Sequence, residues 1–373
     1  MSVRTTPRFM FGLQEAGLVA VIILLALLLT FGGGQVEIAG RTVNNFLRLD
    51  NLIPNVATTM SWIAIMALGV TIVVAAGGID ISVGSIMALA ALGTARVLQE
   101  FAETASGWIV IPIGTAVALG IGLACGLLNG LIVVGLRMHP FIVTLGTLSI
   151  FRGIALIAVP EKSLPAGDRS LPFDFTRNFV AWQADFARPD GASLLLQPVP
   201  MLVMLLCVLA AWIFLSHTVP GRQVYAVGGN EEAARFSGIP VGRVKLMVYA
   251  LSGLAAGLAG LLSVGYFGSA NTATGEGYEL MVVAAAVVGG ASLSGGRGTA
   301  LGALLGTLVI KLIENGTYII RNISLGFLTL PVSKEYSKIV IGAAIILAVA
   351  IDRLSEYVQT RRSASRGPTG EAR

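Results

Sequence analysis

The chain has 373 residues, of which 55% are hydrophobic and only 12% charged, and its mean hydropathy is +0.83. Soluble domains carry about 25% charged residues, so this composition excludes a set of soluble domains and predicts an all-α polytopic membrane protein forming one bundle. The net charge of +5 does not indicate a nucleic-acid partner, because the basic residues lie in short loops and tails, as the positive-inside rule expects.

A membrane-spanning helix needs about 20 mostly apolar residues. Ten stretches meet or approach this length, in chain order: 13–32, 54–77, 80–98, 109–136, 139–159, 199–217, 246–268, 279–294, 299–320 and 336–354. The stretches 80–98 and 279–294 are short, which predicts short or broken helices. Arg4 and Arg8 precede the first apolar run as in a secretory signal, but the run is long and ends in glycines, so we interpret it as an uncleaved span.

The charges between the spans predict the orientation of the chain. Basic residues are concentrated in alternate connections, namely those before 13, at 137–138, 218–245 and 295–298, and after 352. This pattern predicts cytoplasmic N- and C-termini, although Arg321 and Lys334 then fall outside. The predicted organisation is a cytoplasmic N-terminal tail (1–12), a single transmembrane domain (13–354) with an extracytoplasmic loop (160–198) and a cytoplasmic segment (218–245), and a cytoplasmic C-terminal tail (355–373). The loop 160–198 is either ordered against the outer surface or a flexible insertion.

The cytoplasmic segment contains a polar interruption at 228–245 with the signals of a short helix. Asn230 is a suitable N-cap, Glu231 and Glu232 fill the first turn, and Ala233 and Ala234 favour helix. After Ser237, Gly238 can end this helix and Pro240 prevents its return. A short amphipathic helix on the basic side of a membrane suits docking onto another protein, which predicts a transport subunit driven by a partner.

The second and third spans are joined by the short segment Gly77–Ser85, which contains an acidic residue, Asp80, and almost no polar linker. Asp80 could accept hydrogen bonds from the amides of Ser82 and Val83 as a helix cap. One interpretation is a broken helix that lines a solute path, and the other is a tight hairpin in which Asp80 is only a cap.

Further polar residues recur within the spans. Asn129 lies beside Gly122, Gly126 and Gly130, and these glycines, with Gly253, Gly257 and Gly260, are typical of close helix packing. Thr144, Thr147 and Phe151 share one helical face that could contact a polyhydroxylated solute, although threonine hydroxyls also bond back to their own helix. Arg152 must pair or reach water.

The segment before the eighth span is polar, and Glu279 falls in the first turn of that span. Asn271, Thr272 and Glu279 either cap locally or form a gate near the mouth of a solute path. The run Gly289–Gly298 resembles a phosphate loop but lacks its Lys-Ser/Thr, and the chain contains no Walker A sequence. We therefore expect a tight reversal here and no ATP bound by this chain.

The chain offers little for catalysis or metal binding. Cys125 and Cys207 lie inside apolar spans, and His139 and His217 are far apart, so we expect neither a disulfide nor a metal site. A membrane enzyme would need a nucleophile–base pair or paired carboxylates, and a purely structural scaffold would not need polar residues within its spans. An ion-coupled secondary transporter of a small polar solute remains the alternative, with Asp80, Glu279 and Glu314 as its few candidate acids.

Four segments together resemble the membrane permease of ABC importers for ribose and other simple sugars, a family of binding-protein-dependent permeases: Gly77–Ser85, Asn129–Arg152, Val227–Gly238 and Tyr278–Gly298. The resemblance implies a multi-pass protein of the bacterial inner membrane that imports a monosaccharide or polyol by alternating access. It implies cytoplasmic ABC ATPase subunits that carry ATP and Mg²⁺, an extracytoplasmic sugar-binding protein, and a second permease copy or paralogue. The long loop 160–198 and extra residues near 325–335 depart from the family pattern.

We expect two groups of functional residues in this sequence, the first implied by the resemblance and the second by polarity at membrane depth. The coupling helix that contacts the ATPase would comprise Asn230, Glu231, Ala233, Ala234, Ser237 and Gly238. The substrate pathway would be lined by Asp80, Ser82, Asn129, Thr144, Thr147, Phe151, Asn271, Thr272 and Glu279.

Overall fold

The structure is a computed structural model that describes residues 13–347 and 350, except 39, 188–192, 321, 326–327, 332, 334 and the side chains of some neighbouring residues. The helices are α1 (Leu13–Gly32), α2 (Leu49–Asn51), α3 (Met60–Ala75), α4 (Val83–Leu98), α5 (Gly107–Gly135), α6 (Pro140–Ala158), α7 (Pro198–His217), α8 (Val219–Gly229), α9 (Glu231–Phe236), α10 (Val241–Phe267), α11 (Tyr278–Val288), α12 (Ala300–Ile319) and α13 (Tyr336–Leu347). Two π-helical segments lie at Leu52–Thr58 and Thr176–Val180. Four short antiparallel pairs are formed by β1 (Gln35–Ile38) with β2 (Arg41–Asn44), β3 (Ser163–Leu164) with β6 (Ala270–Asn271), β4 (Ala184–Ala187) with β5 (Ser193–Leu196), and β7 (Asn322–Leu325) with β8 (Leu328–Pro331).

The protein is mostly helical, as the composition predicts. In the described residues, seven helical stretches are long and apolar enough to cross a membrane, one of them running continuously over Leu49–Ala75. Three shorter apolar helices, α4, α11 and α13, coincide with predicted spans, two of which are short already in the sequence. The chain is therefore a polytopic membrane protein, while the total of ten crossings and the cytoplasmic position of both termini stay predictions.

The centre of the bundle is α3, whose sixteen residues are all buried. A helix that is apolar on every side is typical of a position surrounded by other helices, and α3 contacts α7, α10, α11 and α12. By contrast, α1, α6 and α7 expose large apolar side chains such as Leu28, Ile157 and Leu206. These outer faces suit contact with lipid chains, because lipid imposes no cost on exposed hydrocarbon.

Five of the six repeated glycines lie at the interface between α5 and α10 and Gly260 packs against α4, which confirms the predicted close packing. A Cβ atom on Gly126 would lie 2.3 Å from the carbonyl oxygen of Tyr249, and one on Gly253 would lie 2.2 Å from that of Gly122. Such distances leave no room for any side chain, so the two backbones touch directly. The contact fixes α10 along much of the length of α5.

The connections between helices gather at two ends of the bundle. At one end, Ser163 of β3 pairs with Asn271 of β6, and the carboxylate of Asp174 accepts a hydrogen bond from Gly107 N at 2.7 Å. The described part of the predicted outer loop thus packs on its neighbours, with the α4–α5 and α10–α11 connections at the same end. At the other end, Gly296 N donates to Ala75 O at 3.0 Å. This grouping agrees with the predicted alternation of connections.

Two differences from the predicted helices have a common reason. The helix predicted at 246–268 begins at Val241 and therefore contains Arg243 and Lys245. The helix α8, within the predicted cytoplasmic segment, was not foreseen. Hydropathy locates apolar stretches, whereas a helix continues into water wherever the backbone permits, so charged helical turns are missed. Of the last predicted span, 348–349 and 351–354 lie outside the described residues.

Candidate functional site

The polar interruption contains the predicted short helix, α9. The side-chain oxygen of Asn230 accepts a hydrogen bond from Ala233 N at 2.9 Å, which confirms the predicted N-cap. Glu231 and Glu232 occupy the first turn, where the positive end of the helix dipole favours acids. The sequence thus specifies the start of this six-residue helix locally.

The end of α9 is a Schellman motif. Gly238 N donates to Arg235 O and Ile239 N donates to Ala234 O, both at 3.0 Å, while Gly238 has φ +80°. A positive φ favours glycine because it has no Cβ, so Gly238 ends the helix as predicted. Both termini of α9 are therefore closed by their own residues.

Glu231 forms two ion pairs, and one of them holds α9 against the start of α10. Glu231 contacts Arg235 within α9 at 3.0 Å and Lys245 of α10 at 2.7 Å. The hydrogen bond from Lys245 is the main reason that the pKa of Glu231 lies below its ordinary value, and Arg235 adds to the effect. The carboxylate is charged at neutral pH and ties α9 to α10.

One face of α9 is buried and the other is open. Ala234 is packed among Val224, Val227 and Val241. Ala233, Ser237 and Gly238 are exposed, and the side chain of Phe236 is 90% exposed. The sequence reasoning missed Phe236, although a lone aromatic residue within a charged loop was the signal that could have found it. An exposed ring on a fixed short helix is a feature of protein interfaces.

A second group, the buried polar cluster, consists of Asp80, Ser82, Asn129 and Ser252. One oxygen of Asp80 accepts from Ser82 N at 3.0 Å and from Ser82 Oγ at 2.7 Å. Its other oxygen accepts from Ser252 Oγ of α10 at 2.8 Å. Asn129 Nδ2 donates to Ser82 Oγ at 2.8 Å. Together these bonds join the α3–α4 break to α5 and α10 in the interior.

The structure corrects the predicted capping role of Asp80. Ser82 is the N-cap of α4, without a side-chain cap bond, and Asp80 lies two residues earlier. Asp80 accepts from the Ser82 amide as predicted, but its second oxygen turns to Ser252 rather than to the Val83 amide. A hydroxyl on the adjoining α10 is available to satisfy the carboxylate, which the sequence around Asp80 alone did not show.

Asn129 retains an unused acceptor. Its Oδ1 is buried and makes no hydrogen bond within the described part of the chain. A buried acceptor without a donor is costly, so this atom suits a hydroxyl group or a water molecule that arrives from outside the chain.

The threonine face of α6 is buried beside this cluster. Thr144 Oγ1 lies 3.1 Å from Pro140 O of its own helix and 3.5 Å from Ile79 O in the α3–α4 break. Thr147 Oγ1 bonds to Thr144 O at 3.4 Å, and Phe151 is buried. In this conformation both hydroxyls bond back to α6, which is the alternative considered from the sequence.

Two of the remaining predicted pathway residues, Asn271 and Thr272, lie near the end of the bundle that carries β3 and β6. Arg152 donates to the carbonyl oxygens of Thr272 and Thr274, each at 2.8 Å, which supplies the pairing that its sequence position required. Asn271 Oδ1 accepts from Ala273 N in a local turn. Glu279 lies in the first turn of α11 and faces Gly84, where a Cβ atom would be 2.7 Å from its Oε2.

The same end also contains a cavity of about 540 Å³ that the sequence did not reveal. Its lining includes Asn55, Tyr278, Met281 and an ion pair in which the nearly buried Lys311 contacts the half-exposed Glu314 at 2.6 Å. Residue Lys311 falls inside an apolar run, and that position was the available signal.

The described residues contain no group of three or more His, Cys, Asp or Glu side chains that could hold a metal ion. Both cysteines are free, and Cys125 is buried. The two sites offer hydrogen-bonding groups inside the bundle and an exposed short helix at its surface.

A bundle of apolar helices with a buried polar cluster and a capped surface helix is the architecture of a polytopic membrane protein, and the comparisons identify its family as one of permeases. The model of the family described as "Branched-chain amino acid transport system / permease component" matches residues 52–349. The chain belongs to this family of ABC importer permease subunits.

Characterised relatives match over most of their length. The chain is 35% identical over 342 residues to the ribose import permease protein of Escherichia coli, covering 91% of this chain and 94% of the relative. It is 38% identical over 311 residues to that of Bacillus subtilis, covering 82% and 85%. It is 34% identical over 319 residues to the D-allose transport system permease protein of Escherichia coli, covering 86% and 88%. No solved structure matches the chain.

Proposed function

We propose that this chain is the transmembrane permease subunit of an ABC importer that moves a monosaccharide or related polyol into the cell by alternating access. A partner subunit would supply the energy by hydrolysing ATP with Mg²⁺, and this chain would bind no cofactor of its own. The observation that carries the proposal is α9, a helix capped at both termini that exposes Phe236.

The geometry of α9 suits force transfer from a soluble partner. A surface helix of six residues has little intrinsic stability, yet here both termini and the Glu231–Lys245 pair fix it. The exposed ring of Phe236 can fill a pocket, while Arg235 and Glu232 can orient it. Asn230, Glu231, Ala233, Ala234, Ser237 and Gly238 would form this coupling helix.

The solute path would use hydrogen-bonding groups at membrane depth, because a sugar that leaves water needs partners for its hydroxyls. The free Oδ1 of Asn129 supports this role for the buried polar cluster. The proposed pathway comprises Asp80, Ser82, Asn129, Thr144, Thr147, Phe151, Asn271, Thr272 and Glu279. The 540 Å³ cavity beside Lys311 would lie near its outer entrance.

The family and the relatives named for ribose and D-allose transport support a proposal for the remaining assembly. A sugar-binding protein would deliver solute to the extracytoplasmic end, and a second permease copy or paralogue would complete the membrane unit. The protein would be embedded in lipid in the bacterial inner membrane, with both termini in the cytoplasm.

A pull-down from native membranes tests the proposal. Tagged wild-type protein, Phe236→Ala and the matched control Trp108→Ala are purified in mild detergent, and co-purifying proteins are identified. Trp108 is as exposed as Phe236, at 91%, but lies at the other end of the bundle. We expect a Walker-motif ATPase with wild type and the control, and its loss from Phe236→Ala.

Two results would contradict the proposal. If folded wild-type protein captures no such ATPase, the partner assignment fails and the ion-coupled transporter becomes the leading candidate, to be tested by solute uptake under sodium or proton uncoupling. If Phe236→Ala and Trp108→Ala both retain the ATPase fully, α9 is not the main docking helix.

A further inference from the structure

Three segments of backbone meet without intervening side chains at the end of α3. We name this group the glycine junction, and it consists of Ala75, Gly77, Gly228, Gly295 and Gly296. Gly296 N donates a hydrogen bond to Ala75 O at 3.0 Å. A Cβ atom on Gly228 would lie only 1.9 Å from Ala75 O and 2.7 Å from Gly296 N.

The junction is closed on its other side as well. A Cβ atom on Gly295 would lie 2.4 Å from Gly228 O, and one on Gly77 would lie 3.6 Å from Gly228 Cα. Tyr225 OH adds a hydrogen bond to Gly298 O at 2.7 Å. Backbone atoms in contact have no rotamers with which to absorb a displacement, so a shift of one segment must move the others.

The position of the junction in the chain gives it significance. Gly228 is two residues before Asn230, the cap of α9, and α8 and α9 are separated by Asn230 alone. On the other side of the junction, Gly77 lies three residues before Asp80. The junction is therefore a direct contact between the end of α8, which leads through Asn230 into the proposed docking helix, and the segment that runs to the buried polar cluster.

The connection of α9 to α10 is a different route. It passes through Gly238 and Pro240 and through the Glu231–Lys245 pair. From α10 it reaches the break only by the side-chain hydrogen bonds of Tyr249 and Ser252, and α10 is itself fixed along α5 by the glycine interface. The α8 route, in contrast, reaches the α3–α4 break across one backbone contact.

We propose that the glycine junction transmits movement of α9 to the α3–α4 break, and that Gly228 is a positioning residue for coupling ATP hydrolysis to solute movement. This inference rests on the proposed function. Movement imposed on α9 shifts the end of α8, Gly228 carries this shift to Ala75 and Gly77, and the segment Gly77–Ser82 changes its position relative to Ser252 and Asn129.

The test compares Gly228→Ala with Gly229→Ala, since a Cβ atom on the adjacent Gly229 would meet nothing within 4 Å. The first measurement is amide hydrogen exchange of the complete permease in detergent. We expect exchange over residues 77–82 to accelerate by about tenfold or more in Gly228→Ala, as overpacking strain raises local opening, and to be unchanged in Gly229→Ala. Equal exchange in the two variants would overturn the inference that Gly228 holds the break.

The second measurement is the number of solute molecules carried per ATP hydrolysed by the assembled importer in proteoliposomes. The binding protein is present, and the probe is ribose, the solute named for the relatives. We expect this ratio to fall about tenfold in Gly228→Ala, an effect of the size that a coupling change produces, while the ATPase still co-purifies. A transport ratio in Gly228→Ala equal to that of wild type would overturn the proposed transmission of movement, even if hydrogen exchange in the variant is faster. If wild-type protein captures no ATPase, the proposed function is refuted, and the proposed transmission of movement is refuted with it. The hydrogen-exchange comparison would still show whether Gly228 holds the α3–α4 break in place.

A milder variant covers the case in which Gly228→Ala does not fold. Tyr225→Phe removes the hydroxyl that donates to Gly298 O and adds no volume. We expect a smaller fall in the transport ratio with normal assembly, and an unchanged ratio in this variant would count against the junction.

Discussion

The hydrogen bonds to Asp80 predict a large difference between two substitutions at this position. Asp80→Ala removes the acceptor of three buried hydrogen bonds, from Ser82 N, Ser82 Oγ and Ser252 Oγ. Asp80→Asn keeps one oxygen for both Ser82 donors and presents an amide to Ser252 Oγ, which can accept as well as donate. The pair of variants therefore separates the role of the acceptors from that of the charge.

The magnitude follows from the number of donors left unpaired. A buried donor without an acceptor costs about 1–3 kcal/mol. The two hydroxyls can rotate toward other acceptors, whereas Ser82 N is fixed, and loss of a buried charge offsets part of the cost. We expect Asp80→Ala to lower the free energy of unfolding by about 2–4 kcal/mol and Asp80→Asn by about 1 kcal/mol, the loss of charge assistance in one or two bonds.

The assay is reversible unfolding by SDS in mixed micelles, with helix content as the signal. The order wild type, Asn, Ala in decreasing stability supports the reasoning. An Ala variant as stable as wild type would show that the three bonds add no net stability, and an Asn variant as unstable as Ala would show that the charge, not the acceptor geometry, matters.

Three further predictions concern α9 and the α5–α10 interface. Asn230→Ala removes the acceptor for Ala233 N and should destabilise α9 by about 1 kcal/mol, seen as faster amide exchange over α9. The pKa of Glu231 is lowered mainly by Lys245, so the stability that this pair contributes is present above the ordinary glutamate value of 4.5 and is lost as pH falls through the folded-state pKa. In Glu231→Gln, the protection of α9 against amide exchange should therefore depend less on pH in this range. Gly253→Ala brings a Cβ atom to 2.2 Å from Gly122 O and should lower the free energy of unfolding in SDS by about 1–3 kcal/mol.

Each of these has a matched control. Asn230→Asp retains a capping oxygen and should behave like wild type. Glu232→Gln changes the neighbouring acid, and an equal effect of both Gln variants would rule out the Lys245 pair as the cause. Gly120→Ala, whose Cβ would meet nothing within 4 Å, should leave stability unchanged or raised. A Gly253→Ala variant that matches it would contradict the close-contact argument.

Local signals in the sequence were enough to predict α9 and the glycine interface. The cap at Asn230 and the helix end at Gly238 depend on residues within a few positions of each other. The four-residue spacing of Gly122 and Gly126 likewise predicts a packing face, because it follows from helical geometry alone.

Long-range contacts were beyond local reasoning. Ser252 is 172 positions from Asp80, and nothing near either residue indicates that they bond. The Lys311–Glu314 pair lies three positions apart, but the cavity around it is formed by helices distant in sequence. The sequence therefore identified Asp80 as an acid whose burial requires hydrogen-bond donors, but it did not indicate which residue donates to its second oxygen.

The burial of α3 has a consequence for how the protein is made. This helix is among the first to leave the ribosome, yet three of the helices that enclose it, α10, α11 and α12, begin at Val241, Tyr278 and Ala300. During synthesis α3 is therefore surrounded by lipid until those later helices are inserted beside it. Because lipid chains are as apolar as its side chains, its enclosure is driven by shape and backbone contact rather than by escape from water. Mutations in the late helices would thus act as assembly defects of an early one.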